Sequence, residues 1–434
     1  MRQKLWLPLI LAAYLGIGVL YAIYTPPWQS PDEPAHYNYV RQLAAGHLPV
    51  IAPGDYDQAY QSQVIDALFA PEYSVTSFTY EDHQPPLYYL LQLPVYLLSG
   101  GSLLAMRLVS VLLGAGVVAL AFVIATRLFP GHGWLPPAVA AFVAFLPQHV
   151  AMMAAVNNDN LAELLVAAML LVLLRVVASQ DEVGWRTWTL LGLLLGSGFV
   201  TKATTYMMAP IAGLTLLWRC WGDWRGLWRA GVGVFVPAFL LGALWWGRNL
   251  VIYGGFDLLG AAAHNRVVVG QPRTDEWVRQ YGWRYTLTTL LRTTFQSFWG
   301  QFGWMGVPMP AWVYRILLLG GGLTVGGWLF SWRSPHRPRL PRAAALLLWG
   351  IFLLSAALFL GYNVTFVQPQ GRYLFSALIP IAIAVTIGAA AWLTPLRRRW
   401  PPTAFLLPAL LALGLCGLDL LALFRFILPQ LALQ

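Results

Sequence analysis

Long apolar runs separated by short polar segments dominate the chain. Eleven such runs lie near residues 5–24, 103–128, 135–155, 161–179, 187–201, 204–220, 230–252, 311–331, 343–361, 373–394 and 403–427. A helix that crosses a bilayer needs about 20 mostly apolar residues. The pattern therefore predicts an all-α polytopic membrane protein with about eleven transmembrane helices. A transmembrane β-barrel would instead alternate apolar and polar residues in segments of about 10, and the sequence shows no such segments.

One further apolar stretch, Pro85–Gly100, is short and contains three prolines. The distribution of charge indicates whether it crosses the membrane. If it does not cross, and the N-terminus is cytoplasmic, more than half of the 27 lysine and arginine residues fall on the inner side. Because basic residues concentrate in cytoplasmic loops, this arrangement is favoured, and 85–100 is predicted to be a partly embedded helix.

The composition supports a single transmembrane domain, 1–434, with 58% hydrophobic and only 10% charged residues. The net charge of +10 is explained by the basic inner loops, so we do not expect a nucleic-acid partner. The N-terminal apolar run has no small-residue cleavage site and is predicted to be an uncleaved first span. Two long segments, 25–101 and 253–310, fall on the outer side, so we expect the active site to be extracytoplasmic.

The first outer loop contains residues suited to acid–base chemistry. Ser30, Pro31 and Glu33 have the spacing of an N-cap, a first helical residue and a capping-box glutamate, which predicts a helix from Pro31 to about Ala45. Glu33 is thus either a capping residue or a catalytic acid. Asp32 and His36 are four residues apart on one helix face, where they could form a general base with its partner or bind a divalent cation.

Two more polar clusters lie at predicted membrane edges. Glu81-Asp82-His83-Gln84 directly precedes the Pro85-Pro86 step, which would hold His83 at the interface. Asn157-Asn158-Asp159-Asn160 joins spans three and four on the outer side. Both clusters can also be interpreted as ordinary polar loops or helix caps.

These motifs, together with Gln370-Gly371-Arg372-Tyr373-Leu374 and Thr201-Lys202, resemble those of the bacterial DUF2142-type membrane proteins. More broadly, their order resembles that of the GT-C glycosyltransferases, including protein O-mannosyltransferases and the aminoarabinose transferase of lipid A. The resemblance extends over most of the chain, although each motif is short.

The resemblance implies a GT-C bundle that moves a sugar from a polyprenyl-phosphate donor to an extracytoplasmic lipid, glycan or protein. It implies that Asp32, with Glu33 beside it, is the catalytic base or a metal ligand, and that Asp159 is the second acid. Mg²⁺ or Mn²⁺ would then be held by Asp32, His83 and Asp159. Some relatives have a glutamate just before the Pro-Pro step, where this chain has His83 and Gln84, so the need for a metal stays open.

Transfer from a phosphate requires cations for the departing group and a base for the acceptor hydroxyl. Lys202, Arg248 and Arg372 lie at outer helix ends, against the positive-inside trend, and are predicted to bind phosphate. His36, Asn158, Gln370 and Tyr373 are predicted substrate contacts. An arginine at a membrane edge, such as Arg315 or Arg372, can also simply reach toward lipid headgroups.

Two other functions remain open from the sequence. A transporter or lipid flippase would place ionisable residues along a midplane path, whereas here the acids gather in the outer loops. A non-catalytic subunit that binds polyprenyl phosphate would keep the fold and tolerate loss of the base. The short inner loops suit a bacterial inner membrane.

Overall fold

The computed structural model describes residues 3–332, 334 and 337–433. Arg2 and Arg333, which the charge pattern places on the inner side, lie outside the described residues. The α-helices in chain order are α1 (Gln3–Tyr24), α2 (Glu33–Ala44), α3 (Gln58–Asp66), α4 (Leu87–Ser99), α5 (Leu103–Leu128), α6 (Leu135–Ala144), α7 (Pro147–Met153), α8 (Asp159–Ala178), α9 (Trp185–Phe199), α10 (Met208–Arg219), α11 (Trp224–Tyr253), α12 (Ala261–Val267), α13 (Thr274–Tyr281), α14 (Trp283–Trp299), α15 (Ala311–Ser331), α16 (Arg342–Thr365), α17 (Leu378–Trp392), α18 (Thr394–Arg399), α19 (Leu406–Leu421) and α20 (Leu428–Leu431).

Short irregular helices and one hairpin complete the fold. Segments of 3₁₀ helix cover Ala203–Met207, Gly371–Ala377 and Pro401–Phe405, and a π-helical segment covers Ala422–Ile427. Strands β1 (Gln301–Phe302) and β2 (Val307–Pro308) pair in antiparallel fashion.

Among the described residues, eight helices are long and apolar enough to cross a membrane. The pair α6 and α7 would make a ninth span, bent by 63° at its break. The protein is therefore an integral membrane protein with a helical bundle, as predicted. The count of eleven stays a prediction, because the runs 187–201 and 204–220 correspond to α9 and α10, of only 15 and 12 residues.

Close contact between α9 and α11 depends on glycine. A Cβ atom on Gly192 would lie 2.4 Å from the carbonyl oxygen of Val234, and one on Gly196 would lie 3.0 Å from the Cα of Ala238. Only a residue without a side chain lets the two backbones approach this closely, as in other membrane helix pairs. This pairing fixes α9, whose end leads into Lys202.

The first outer segment differs from its prediction at the start of α2. The helix begins at Glu33 rather than Pro31, and Asp32 is the residue before it, with φ of 68° and no side-chain cap. The capping box predicted from Ser30 and Glu33 is therefore wrong. The short apolar stretch after Pro85-Pro86 forms α4, whose 13 residues are too few to span a bilayer.

The second outer segment contains α12, α13, α14 and the hairpin. Gly282, which has φ of 81°, ends α13 and separates it from α14. A left-handed residue ends a helix, and glycine adopts that conformation without steric cost.

Candidate functional site

The predicted outer-face residues surround a cavity of about 310 Å³ at one end of the bundle. Its walls come from the first outer segment, the second outer segment and the part of the chain that runs from the end of α16 into the 3₁₀ helix 371–377. Asp32, Gln370 and Tyr373 line it, and the sequence identified all three as candidates.

Asp32 lines this cavity, and its backbone just before α2 is left-handed. Tyr80 donates its hydroxyl proton to Oδ1 at 3.0 Å, and Arg372 Nη2 donates to Oδ2 at 2.8 Å. Burial raises the pKa of Asp32, but the charges of Arg372 and His36 and the two hydrogen bonds outweigh it, so the pKa lies below its usual value. Asp32 is therefore ionised at neutral pH, with about a quarter of its side chain exposed.

The segment that carries Arg372 is held in place through Gly371. A Cβ atom there would lie 2.4 Å from backbone atoms of Thr294 and Phe298 on α14, and its N–H donates to Ser297 Oγ at 2.7 Å. This close contact aims the next residue inward. Arg372 is only 8% exposed, and its Nε donates to Gln370 Oε1 at 2.7 Å. Its guanidinium lies 5.3 Å from the Tyr373 ring centre.

A second ion pair lies beside the first. Lys202 Nζ is 2.7 Å from Asp159 Oδ1, and both side chains are partly exposed. Asp159 begins α8, and Lys202 precedes the 3₁₀ helix 203–207, so two helix ends meet here. The charge of Arg372 also acts on Asp159. The structure thus brings two acids and two cations together from four separate segments.

His36 and Asn158 lie against this charge cluster. His36 is 2% exposed, and its Nδ1 shares a 2.8 Å hydrogen bond with the Tyr89 hydroxyl. Burial lowers the pKa of His36 and outweighs the nearby Glu81 carboxylate. Asn158 Nδ2 donates to Gln84 Oε1 at 3.2 Å, while its buried Oδ1 has no partner among the described residues. An unsatisfied buried oxygen can accept a hydrogen bond from a ligand or water.

Glu33 does not belong to the cavity wall. It is fully buried and forms an ion pair with Arg107 on α5, with Arg107 Nη2 2.6 Å from Oε2. The backbone N–H groups of Val156 and Trp28 donate to the same carboxylate at 3.2 Å. With both oxygens occupied by the protein itself, Glu33 fixes α2 to the bundle, and the catalytic role predicted for it is not supported.

Arg248 is also placed away from the cavity wall. Its Nη2 donates to the carbonyl oxygen of Pro49, and its guanidinium lies 4.6 Å from the Trp245 ring centre. Its Nη1 donates to Asn249 Oδ1 at 2.9 Å. These contacts tie the end of α11 to the first outer segment, while the buried Nε has no partner among the described residues, and the phosphate contact of Arg248 stays a prediction.

The metal site predicted from Asp32, His83 and Asp159 is not formed. His83 packs against His264, with ring centres 4.3 Å apart, while the two acids pair with Arg372 and Lys202. Within the described part of the chain, no group of three or more His, Cys, Asp or Glu side chains is placed to hold a metal ion. These residues do not fit a metal held by the protein alone, and the metal requirement stays a prediction.

Several residues of the site were missed by the sequence analysis. Tyr80 and Glu81 line the cavity together with Tyr56, Trp304 and Tyr362. Glu81 accepts a 2.8 Å hydrogen bond from Gln84 Nε2 and has no cationic partner among the described residues. The only sequence signal for Glu81 was its place in the acidic cluster before the Pro-Pro step. Nothing in the sequence identified Arg107 as the partner of Glu33.

Comparison with known proteins gives the fold. The family dolichyl-phosphate-mannose-protein mannosyltransferase matches residues 82–246, which is well under half of the chain. The apo crystal structure of ArnT from Cupriavidus metallidurans aligns with 99% of this chain and 74% of its own, with a TM-score of 0.55 and 16% identity. The crystal structure of the same protein bound to undecaprenyl phosphate aligns with 98% of this chain and 74% of its own. The TM-score is 0.53 and the sequence identity is 16%.

A search of curated protein sequences gave no significant match. The likeness to ArnT shows that this chain has an ArnT-like fold, in agreement with the fold that the sequence resemblance implied. The narrower resemblance to DUF2142-type proteins stays a prediction.

Proposed function

We propose that this protein is a GT-C membrane glycosyltransferase that moves a sugar from a polyprenyl-phosphate donor to an acceptor in the cavity. The observation that carries the proposal is the pair of adjacent ion pairs, Asp32–Arg372 and Asp159–Lys202, at the edge of that cavity. The mannosyltransferase family match and the ArnT fold support the same chemistry. ArnT has been crystallised with undecaprenyl phosphate, which supports a donor of this class.

The two cations suit the departing phosphate. Arginine can donate two parallel hydrogen bonds to phosphate oxygens, and lysine adds a compact positive charge. Arg372 is nearly buried, so its charge is poorly screened by water and acts strongly on a bound anion. Charge that develops on the leaving phosphate in the transition state would therefore be stabilised.

The ion pairs also supply a reason for Asp32 to act as the base. In the free protein Arg372 lowers the pKa of Asp32, which makes this carboxylate a weak base. A donor phosphate would compete with Asp32 for Arg372. Once Arg372 turns toward the phosphate, Asp32 keeps the hydrogen bond from Tyr80 and loses its cation, and its basicity increases beside the acceptor hydroxyl. Donor binding would thus prepare the base.

The cavity wall suits a sugar or another polyhydroxylated group. Tyr56, Trp304 and Tyr362 present aromatic surface, while Glu81 and Gln370 present hydrogen-bonding groups. Carbohydrate faces pack on aromatic rings, and their hydroxyls require such polar partners. We propose that the acceptor is a lipid, glycan or protein that enters from this end of the bundle, on the extracytoplasmic side of a bacterial inner membrane.

The test is a turnover assay on the purified protein in nanodiscs. A panel of polyprenyl-phosphate sugars is supplied, and release of free polyprenyl phosphate is measured with Mg²⁺, with Mn²⁺ and with EDTA. Asp32→Asn should lose nearly all turnover. The matched control is Asp66→Asn, an exposed acid in the same outer segment that does not line the cavity, and it should match the wild type.

Other outcomes separate the alternatives. Donor binding without turnover, equal in wild type and Asp32→Asn, would favour a non-catalytic carrier-binding subunit. No binding of any donor would favour a transporter or flippase. Loss of turnover in EDTA, restored by Mg²⁺, would establish a metal requirement.

A further inference from the structure

A second cavity, of about 320 Å³, lies at the opposite end of the bundle from Asp32 and Arg372. It is enclosed by the start of α9, the end of α10 and the start of α11. The other end of α9 leads into Lys202, so the length of that helix separates this cavity from the charge cluster. Its volume is at the lower end of the roughly 300–1,000 Å³ typical of small-ligand sites.

One side of this cavity is suited to an anion. Arg219 and Arg229 both line it. Arg219 Nη2 donates to the carbonyl oxygen of Asp181 at 2.6 Å, but its buried Nε has no acceptor among the described residues. Arg229 is exposed and has no hydrogen-bond or ion-pair partner within the described part of the chain. A buried donor without a partner is costly, so a ligand oxygen at this position would be stabilised.

The start of α9 adds to the positive character. Val183, Gly184 and Trp185 line the cavity, and Gly184 precedes the helix with no side chain to cap it. The start of α9 and the two arginines therefore line the same cavity. Helix N-termini of this kind bind phosphate groups.

The other side of the cavity carries negative charge. Glu182 and Asp223 line it, so two carboxylates balance the two guanidinium groups. Asp223 Oδ1 accepts from the Gly226 N–H at 2.9 Å, while Glu182 has no partner among the described residues. A simple anion would meet both attraction and repulsion here. A ligand that carries a phosphate and an ammonium group would match both signs.

The surroundings indicate that this ligand is a membrane lipid. Trp185 and Trp221 line the cavity, and Trp224 and Trp228 lie at the start of α11, the helix whose Gly226 and Arg229 also line it. The exposed fractions of these four tryptophans are 55%, 87%, 74% and 65%. Exposed tryptophans concentrate at the headgroup level of a bilayer, where the ring is half in an apolar environment. We propose that this cavity binds the headgroup of phosphatidylethanolamine, with the phosphate at Arg229, Arg219 and the start of α9, and the ammonium at Glu182.

The proposal is tested by lipid binding to the full-length protein in a mild detergent. The probes are dihexanoyl phosphatidylethanolamine, dihexanoyl phosphatidylglycerol and soluble glycerophosphoethanolamine, and dissociation constants are measured by native mass spectrometry. Arg229→Gln should weaken binding of the ethanolamine lipid about tenfold or more, because a charge-assisted hydrogen bond is lost. Glu182→Gln should reduce the preference for ethanolamine over glycerol headgroups.

Arg225→Gln is the matched control, since Arg225 is exposed one turn away on the same helix and does not line the cavity. It should leave binding unchanged. Equal effects of Arg225→Gln and Arg229→Gln would overturn the proposal, because general electrostatic attraction would then explain the binding. Equal affinity of the wild type for both lipids would also overturn it. Glycerophosphoethanolamine binding as tight as that of the lipid would assign the site to a soluble phosphate compound and likewise overturn it.

Discussion

Replacement of Glu33 by glutamine should destabilise the protein without removing a group that touches substrate. The carboxylate accepts hydrogen bonds from Arg107 Nε at 2.8 Å, Arg107 Nη2 at 2.6 Å and the N–H groups of Val156 and Trp28 at 3.2 Å. Both Glu33 and Arg107 are almost completely buried. The pair therefore joins α2 to α5 in a region that water does not reach.

The loss of stability in Glu33→Gln depends on the positive charge of Arg107, which stays buried without a negative partner. Arg107 also donates to the carbonyl oxygens of Ala22, Thr25 and Pro26, but none of these carries a negative charge. Breaking one partner of a buried ion pair typically costs about 3–5 kcal/mol. With an unfolding entropy of about 2.1 cal/mol/K per residue over 434 residues, this corresponds to a fall in Tm of about 3–5 °C.

The assay is thermal melting in detergent combined with the donor-turnover measurement. Glu33→Gln should melt lower, and the fraction that remains folded should turn over donor at a near-normal rate. Asp32→Asn should instead lose turnover and melt close to the wild type. Its Tm should change little because the Asp32 side chain is a quarter exposed and water can replace part of its contact with Arg372. A Glu33→Gln variant that melts with the wild type and is inactive would refute the reasoning and restore Glu33 as a catalytic candidate.

Three further predictions concern single residues around the first outer segment. Burial raises the pKa of Asp82 to about 7, so its buried carboxyl favours folding at low pH and this contribution is lost as pH rises through 7. Asp82→Asn should therefore raise Tm at pH 8 and leave it unchanged at pH 4. Burial, with the neighbouring His264, lowers the pKa of His83 from 6.5 to about 3. Between these two pH values His83 is protonated in the unfolded chain and neutral in the folded protein, so acidification favours unfolding. Stability should fall on acidification below pH 6.5 by up to about 2 kcal/mol at pH 5, and His83→Asn should flatten this dependence in a melting series. Arg248→Gln should free the segment around Pro49, which limited proteolysis would detect as faster cleavage, with donor affinity within about twofold of the wild type because the side chain does not line the cavity.

The membrane character and several site residues could be predicted from the sequence for clear physical reasons. A run of about 20 apolar residues has few alternatives to a membrane span. Lys202 and Arg372 were identified because a cation at the outer end of an apolar run is unusual under the positive-inside rule. Both are found in ion pairs at the charge cluster.

Long-range pairings could not be predicted, because nothing local encodes them. Glu33 has the spacing of a capping-box residue, yet Arg107, 74 residues further along the chain, takes both of its oxygens. The capping box does not form because leaving the buried arginine without a negative partner would cost more free energy than losing one capping hydrogen bond. The same limit explains the metal prediction. Asp32, His83 and Asp159 are suitable ligand types, but distant cations and His264 take up their contacts.

The exposure of an arginine at the membrane edge distinguishes a residue of a functional site from one that contacts lipid headgroups, as Arg315 and Arg372 show. Sequence alone allows Arg315 and Arg372 either to reach toward headgroups or to enter a site. In the structure Arg315 is exposed on α15, whereas Arg372 is 8% exposed and paired with an acid 340 residues away. An arginine that reaches toward lipid headgroups keeps its guanidinium hydrated, and burial would remove that stabilisation. The burial of Arg372 costs solvation energy that only a charged partner offsets, and that partner is the same carboxylate proposed to act as the base.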